Sequence, residues 1–521
     1  MDSYRIVLRR GFEIGCSGRK EIDAMLALQH RTGSQLLLFV VLVSGLFLTG
    51  AVRDRLDDTS QPATTGWKIK FDESGSSPVI ADGVLYVGSA DGTVYALDPN
   101  TGEAKWRFHT GESLLPDTSG GQVITVPRDT SVADQMIVGM NAAEKQRGQG
   151  IRRVDMTPAV ENGTVFVGSG DLSFYAIDAA TGKKKWSYVA GSGMASNNNT
   201  SYPVAAAVLG NGTVYFATDD GLHALDAVTG KRKWLFETWK ETPVFGVKRA
   251  PAGLVPGDGV IFLTAWANLD PNRQKSFLYA VDPESGKAKW VTGVGGWDTT
   301  APAAAKGLAF FAVEDPGPTP TSSSDRETLY AANAADGRIQ WKVGAEKKYG
   351  TARMLVAGNI IFFSTDKNLL ALELGTGRQL WNFSADGISG GFFEGNPGLW
   401  ADDQHLYLVT HKGSMMRPKD TLRALALSTG QEKWSQSLSG SVRVAMIHDG
   451  VVYAGGEHLH ALDAATGKEL WAYKGTGRES ARLISGGRIF LTSPTVDYVG
   501  SKRVDQGYLY AIDSKTGKLK P

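Results

Sequence analysis

The sequence predicts an all-β fold: a β-propeller of eight or nine four-stranded blades, carried behind an N-terminal transmembrane helix. Three observations lead there. A unit of short alternating apolar segments returns nine times, and most copies end in a tryptophan at a fixed place. An uncharged apolar run long enough to cross a bilayer precedes the first copy.

Composition fits that frame. The 521 residues include 63 glycines, as many tight turns require, and 13 tryptophans. Lys and Arg number 55 against 54 Asp and Glu. Nucleic-acid-binding domains carry a basic excess, so this balance excludes nucleic acid as the expected partner. Cys16 is the single cysteine, so an intrachain disulfide and Cys-based zinc or iron–sulfur sites are excluded too.

No charged side chain lies between Arg31 and Arg53, and the heart of that run is Leu36-Leu37-Leu38-Phe39-Val40-Val41-Leu42-Val43. A helix rising about 1.5 Å per residue crosses roughly 30 Å of hydrocarbon with such a stretch. Arg5, Arg9, Arg10, Arg19, Lys20 and Arg31 precede it, whereas Arg53 and Arg55 are offset by Asp54, Asp57 and Asp58. The positive-inside bias therefore puts the N-terminus in the cytoplasm and everything after Ala51 outside. The long polar leader and the lack of a small-x-small cleavage site favour an uncleaved signal anchor over a cleaved signal peptide. The expected organisation is a cytoplasmic segment at 1–33, a single transmembrane helix at 34–52, a linker at 53–66 and a propeller at 67–521. That places the protein in the inner membrane with its propeller on the periplasmic side.

The repeat opens with Ser77-Pro78-Val79-Ile80-Ala81-Asp82-Gly83-Val84-Leu85-Tyr86-Val87-Gly88 and runs through Val94-Tyr95-Ala96-Leu97-Asp98 and Thr101-Gly102 to Trp106. Further copies end at Trp186, Trp234, Trp290, Trp341, Trp381, Trp434 and Trp471; a ninth stops at Thr516-Gly517-Lys518 without its tryptophan. Trp67-Lys68-Ile69-Lys70-Phe71 is a tryptophan strand with no repeat before it, and it supplies the missing piece. Within each copy, residues such as Val84, Tyr86 and Gly88 alternate with the period of a half-buried strand. An Asp-x-x-Thr-Gly turn joins the third and fourth strands, its Asp accepting backbone N–H bonds and its Gly supplying positive φ. The acid or amide recurs as Asp98, Asp178, Asp226, Asp282, Asn333, Glu373, Asp463 and Asp513, with Ala426 the exception. A polar residue repeated at one turn position is turn chemistry and not a set of catalytic acids. Radial arrangement protects the edges of so many small sheets, and the Trp67 strand closes the ring without a covalent link.

The pattern Ala-x-Asp-x-x-Thr-Gly-x-x-x-Trp, present from Ala96 to Trp106, Ala176 to Trp186 and Ala461 to Trp471, resembles the docking motif of the pyrroloquinoline-quinone (PQQ) repeat propellers. In that family each tryptophan packs against the next blade. The resemblance covers about residues 67–521. It implies eight blades where nine units are counted, and the 300–344 copy, with Ala331-Ala332-Asn333, is the one that could fall outside a regular blade.

Insertions single out one face. The link from strand four to the next strand one is long at 109–155, 188–202 and 236–249, and strand two to strand three is long at 267–277, 314–328, 411–421 and 493–507. Both kinds of connection lie on the same face of a four-stranded meander, which marks that face for binding. Four tryptophans fall outside the repeat position and are the candidate binding-face residues: Trp239, Trp266, Trp297 and Trp400; packing within irregular loops is the competing role. The 129–147 stretch reads as a short amphipathic helix. His458 and His460 are two apart on a strand, as metal ligands can be, but His460 and His223 occupy the slot held elsewhere by Tyr95, Tyr175, Tyr279, Tyr330 and Tyr510. That slot favours a structural role, and no metal is expected. Asp219-Asp220 and Asp402-Asp403 sit in turns and are poor acid/base pairs. No Gly-x-Ser-x-Gly, Walker or His-Glu-x-x-His pattern occurs.

Two functions follow as expectations. The first is a non-catalytic, monomeric envelope scaffold with a protein or ligand partner, similar to the propeller subunit of the outer-membrane barrel-assembly machinery, with no cofactor. The alternative is a quinoprotein dehydrogenase oxidising an alcohol or sugar with PQQ and calcium. In the alcohol-oxidising members of that group PQQ lies against a vicinal disulfide, and this chain has no cysteine after Cys16. Neither the calcium carboxylates nor the catalytic Asp map onto this sequence residue by residue. Catalytic and cofactor-binding residues are therefore assigned to none, because fold alone does not confer activity.

Overall fold

The computed structural model describes residues 66–71, 75–110, 154, 156–171, 173–190, 207–218, 221–238, 253–270, 273–316, 323–346, 352–385, 387–388, 399–414, 417–440, 442–474, 480–499 and 502–519. The expected transmembrane helix at 34–52, the linker at 53–65 and the 129–147 helix lie outside the described residues. Among the described residues no helix is long and apolar enough to cross a membrane.

Nine antiparallel sheets follow one another along the chain, each a simple meander. The first blade runs through Val79–Ala81, Val84–Gly88, Thr93–Leu97 and Ala104–His109. Its outermost strand starts after the Asp98 turn. Alternation explains the strands: in Thr93–Leu97 both faces are buried, because one packs on the preceding blade and the other on the next. The turn between strands one and two is a tight two-residue hairpin. Asp82 (φ 49°) and Gly83 (φ 71°) both take positive φ, as do Asn162 and Gly163. This is the turn that suits the twist of paired strands.

First strands of blades 2 and 3, and of blades 4 to 9 in turn, touch one another and gather round the centre. Aromatic and aliphatic side chains fill the space between sheets; Tyr86, Tyr175, Tyr279, Tyr407 and Tyr510 are all essentially buried there.

The ring closes as the sequence predicts. Trp67–Phe71 pairs antiparallel with Lys502–Asp513, from Trp67 opposite Ala511 to Phe71 opposite Gly507, and so becomes the fourth strand of blade 9. Nine blades form. The doubtful copy is a full blade, and it carries an additional strand: Trp297–Thr299 and Ala303–Ala305 both pair with Leu308–Pro316, which then pairs with Ser323–Asn333 and Ile339–Glu346. Its first strand is divided where the backbone passes Thr300, whose N–H reaches Ala312 O at 3.0 Å and whose hydroxyl accepts from Ala312 N at 3.0 Å.

One contact recurs at every blade junction. The indole N–H of each repeat tryptophan donates to a carbonyl in the Asp turn of the following blade: Trp106 to Ala179 at 2.9 Å, Trp186 to Ala227 at 3.1 Å, Trp434 to Ala464 at 2.9 Å. Trp67 does the same to Pro99 at 3.0 Å, which joins blade 9 to blade 1. The ring of each tryptophan lies on the turn glycine. At Gly182 (φ 72°) a Cβ would come within 2.7 Å of Trp106, and at Gly102 (φ 76°) within 2.6 Å of Trp67. Glycine is required there twice over, by the left-handed backbone and by the close approach of the indole.

Candidate binding face

The meander puts two kinds of turn on each face of the ring. One face holds the tight hairpins and the Asp turns. There the carboxylates serve the backbone: Asp178 Oδ1 accepts from Thr181 N at 2.9 Å and Thr181 Oγ1 at 2.8 Å, and Asp226 and Asp463 repeat the arrangement. Hydrogen bonds from those threonines hold all three carboxyls below the usual range. A carboxylate so engaged is a turn fastener and not an acid in waiting.

The opposite face is uneven. In blades 4, 5, 7 and 9 the second and third strands continue past the sheet as ribbons: Val260–Asp270 with Arg273–Val281, Leu308–Pro316 with Ser323–Asn333, His405–Ser414 with Arg417–Ala426, and Arg488–Val499 with Lys502–Asp513. Sequence reading expects irregular connections at 267–277, 314–328, 411–421 and 493–507; the structure shows paired backbone through most of each. The reason is register. Alternation simply carries on, so Trp266 opposite Ser276 and Tyr498 opposite Arg503 extend the ladder already set below them. In blade 9 the first strand stops pairing at Thr492 and the closing strand begins at Gly507. From Thr495 opposite Gln506 to Val499 opposite Lys502 the ribbon stands as two strands.

Three buried carboxylates lie on this face, and two of them brace neighbouring blades. Glu327 Oε2 accepts from the N–H of Ala352, just before the first strand of blade 6, at 2.8 Å. Asp420 does the same for Val442 before blade 8, at 2.5 Å, and its other oxygen is hydrogen-bonded to His411 Nδ1 across the ribbon. Glu327 and Asp420 each stand three residues before the recurrent slot, at Tyr330 and Arg423. Asp171, in the blade 2 hairpin, accepts from Tyr175 Oη at 2.5 Å and Ser173 N at 3.0 Å; its burial pushes the carboxyl up. Sequence reasoning missed all three. The available signal was a lone acid inside an otherwise apolar third strand.

The four candidate tryptophans fall in different places. Trp239 lies outside the described residues. Trp266 is on the blade 4 ribbon and Trp297 opens the divided first strand of blade 5, and these two strands touch. Trp400 is in the first strand of blade 7, near the axis, half-buried against the core between blades 7 and 8. The Asp219-Asp220 pair also lies outside the described residues, whereas Asp402 accepts from Gln404 N, His405 N and Tyr407 Oη and serves its turn. Both slot histidines are buried as expected: His223 stacks on Phe216 with centroids 5.0 Å apart and bonds Thr218 Oγ1 at 2.9 Å.

Nine four-stranded blades, each locked to the next by a turn glycine beneath an indole, define a PQQ-type β-propeller. The chain belongs to the family described as outer membrane protein assembly factor BamB, whose profile matches residues 58–151, 140–313, 274–416 and 418–520. Among curated proteins it is similar to the outer membrane protein assembly factor BamB of Nitrosomonas eutropha, 32% identical over 134 residues, which is 25% of this chain and 32% of that protein. It is also similar to a 1-butanol dehydrogenase (cytochrome c) of Thauera butanivorans, 33% identical over 111 residues, 21% of this chain and 12% of that one. Matches therefore span a third or less of these relatives' lengths. Among solved structures, BamB from Moraxella catarrhalis aligns with TM-score 0.45 at 13% identity, covering 75% of this chain and 96% of that one. The quinohemoprotein alcohol dehydrogenase of Comamonas testosteroni aligns with TM-score 0.47 at 16% identity, covering 88% and 77%.

Proposed function

We propose that this protein is a membrane-anchored, extracytoplasmic propeller that acts as a non-catalytic scaffold, holding a protein partner of the cell envelope on its ribbon-bearing face. The observation that carries the reading is the asymmetry between faces. One is uniform from blade to blade, and the other projects four ribbons from blades 4, 5, 7 and 9. Rigid scaffolds carry recognition on such projections. Similarity to assembly factors named BamB points the same way. On the partner side of the ring, Trp266 and Trp297 are the proposed contact residues, because the strands that carry them touch there.

PQQ chemistry fits this face less well. Calcium takes about six to eight oxygen ligands, and among the described residues no group of three or more His, Cys, Asp or Glu is gathered to hold a metal ion; Glu327, Asp420 and Asp171 serve backbone N–H groups, an imidazole and a tyrosine instead. No step through the cofactor is derived.

Photo-crosslinking from membranes tests the proposal. A crosslinker at Trp266 or at Tyr498 on the blade 9 ribbon should capture a discrete envelope protein, while one at Thr181 or Thr466 on the opposite face should capture none. Equal capture from both faces would remove the assignment. A parallel titration of the purified chain with PQQ and calcium should give no dye-linked alcohol oxidation; stoichiometric binding with turnover would replace the scaffold with the dehydrogenase.

A further inference from the structure

The junction of blades 7 and 8 departs from a ring-on-ring packing that four other junctions share. At those four the slot residue of the third strand packs against the side chain two places after the tryptophan of the preceding blade. That pairing is Phe108 with Tyr175, Tyr188 with His223, Phe236 with Tyr279, and Tyr473 with Tyr510, each with ring centroids 5.5 to 6.1 Å apart. At the blade 7–8 junction the slot holds His460 and the residue two after Trp434 is Gln436. An aromatic ring at that position is replaced by an amide.

His460 is about nine-tenths buried. Its Nδ1 lies 2.6 Å from Glu469 Oε2. The carboxylate thus engages Nδ1, and Nε2, on the far side of the ring, is the nitrogen left for another partner. That atom is buried and has no hydrogen-bond partner. His458, in the turn just before that strand, presents a second buried ring nitrogen without a partner, Nδ1. The two rings have centroids 6.2 Å apart. Buried polar nitrogens are nearly always satisfied, and two beside one another call for a partner common to both.

His223 makes the contrast. It sits in the same slot of blade 3 and also has one bare nitrogen, but Phe216 and Tyr188 enclose it and position 221 there is glycine. Only blade 8 sets a second imidazole next to the slot.

We propose that His458 Nδ1 and His460 Nε2 together bind one monovalent copper ion, or its analogue silver, between them. The spacing suits a linear pair of donors. Metal–imidazole bonds of about 2 Å put the nitrogens about 4 Å apart. Each ring centre stands about 1 Å behind its nitrogen, which gives roughly 6 Å between centres. Tetrahedral zinc takes four donors; among the described residues no group of three or more His, Cys, Asp or Glu is gathered to supply them. A cation content with two nitrogens matches what is present. Glu469 completes the carboxylate–histidine–metal arrangement that fixes a ligand's tautomer and raises its basicity. His458, at the mouth of the hairpin and only half-buried, gives the ion its way in.

The test is anaerobic titration of the detergent-solubilised full chain with Cu(I), against a chromophoric Cu(I) chelator, followed by X-ray absorption of the loaded protein. One equivalent should bind with two nitrogen neighbours. His460→Tyr restores the residue of five other blades, so the fold should persist while uptake falls at least a hundredfold. His458→Asn, at the turn, should do the same, and Glu469→Gln should weaken binding about tenfold. Zinc should not compete. Absence of uptake by the unaltered chain, retention of uptake in either histidine variant, or a sulfur neighbour from Cys16 or a methionine would overturn the assignment.

Discussion

Replacing Trp67 with alanine interrogates the one junction of the ring that no covalent link spans. The side chain is 9% exposed, lies over Gly102, meets Phe490 at 5.9 Å between centroids, and donates its N–H to Pro99 O at 3.0 Å. Removing a buried indole costs about 3–5 kcal/mol, of which about 1 kcal/mol is the lost hydrogen bond. Trp186 offers an internal control with nearly the same surroundings: it is 8% exposed, lies over Gly230 and donates to Ala227 O at 3.1 Å. Denaturant unfolding of the full chain should therefore show similar losses for Trp67→Ala and Trp186→Ala. Trp67→Phe should lose only the smaller part, about 1 kcal/mol. The two alanine variants should differ in where they open. At Trp186 the chain continues from blade 2 into blade 3, but at Trp67 only strand pairing and packing join blade 9 to blade 1. Hydrogen exchange should accelerate along Trp67–Phe71 and the facing Gly507–Ala511 in Trp67→Ala alone. A stability within about 0.5 kcal/mol of the unaltered chain, the range of a neutral surface change, would refute the idea that this strand holds the ring shut.

Two further outcomes follow from the same geometry. Gly182→Ala should destabilise by about 2–4 kcal/mol, combining left-handed backbone strain with a forced shift of a pinned indole. By contrast Gly163→Ala, with φ 66° and open space around it, should show only the backbone part in thermal melts. His223 provides a pH test. Burial lowers its pKa to about 3, against an ordinary value near 6.5. The folded state thus holds it neutral, and its contribution is intact above about pH 6.5 and lost progressively as pH falls towards 3. At about 1.4 kcal/mol per unit, the full loss is on the order of 5 kcal/mol. His223→Phe keeps the stack on Phe216 and should flatten the fall in stability between pH 6.5 and 4. An unchanged slope would show that the acid sensitivity lies elsewhere.

Much of this fold is legible in the sequence because its determinants are local. Each blade repeats its own turn residues, its own alternation and its own tryptophan, and the unmatched Trp67 strand was enough to infer how the ring closes. What stayed hidden depends on pairings distant in sequence. The ribbons of blades 4, 5, 7 and 9 read as loops because polar residues such as Arg273, Gln274 and Lys275 interrupt the apolar pattern, though these three still pair with Asp270, Asn268 and Ala267, across a bulge between Asn268 and Asp270. The division of the first strand in blade 5 was equally silent, since it turns on how Thr300 meets Ala312. Glu327 and Asp420 reach forward to the next blade, and nothing in their neighbours announces the N–H they will meet.

The slot histidines show where legibility ends and chemistry begins. Sequence alone places His223 and His460 in the same position and so assigns them the same packing role, which the burial of both supports. Their difference lies in second partners. His223 bonds a threonine and lies against a phenylalanine, so its surroundings favour a neutral ring with nothing to hold. His460 bonds a carboxylate nine residues on, a partner at the position from which Glu432 holds Arg423 in blade 7. The same glutamate site thus steadies a guanidinium in one blade and an imidazole in the next. A repeat scaffold can acquire a site in this way: the fold is kept by the slot, and only the residue beside it, His458 here, has to change.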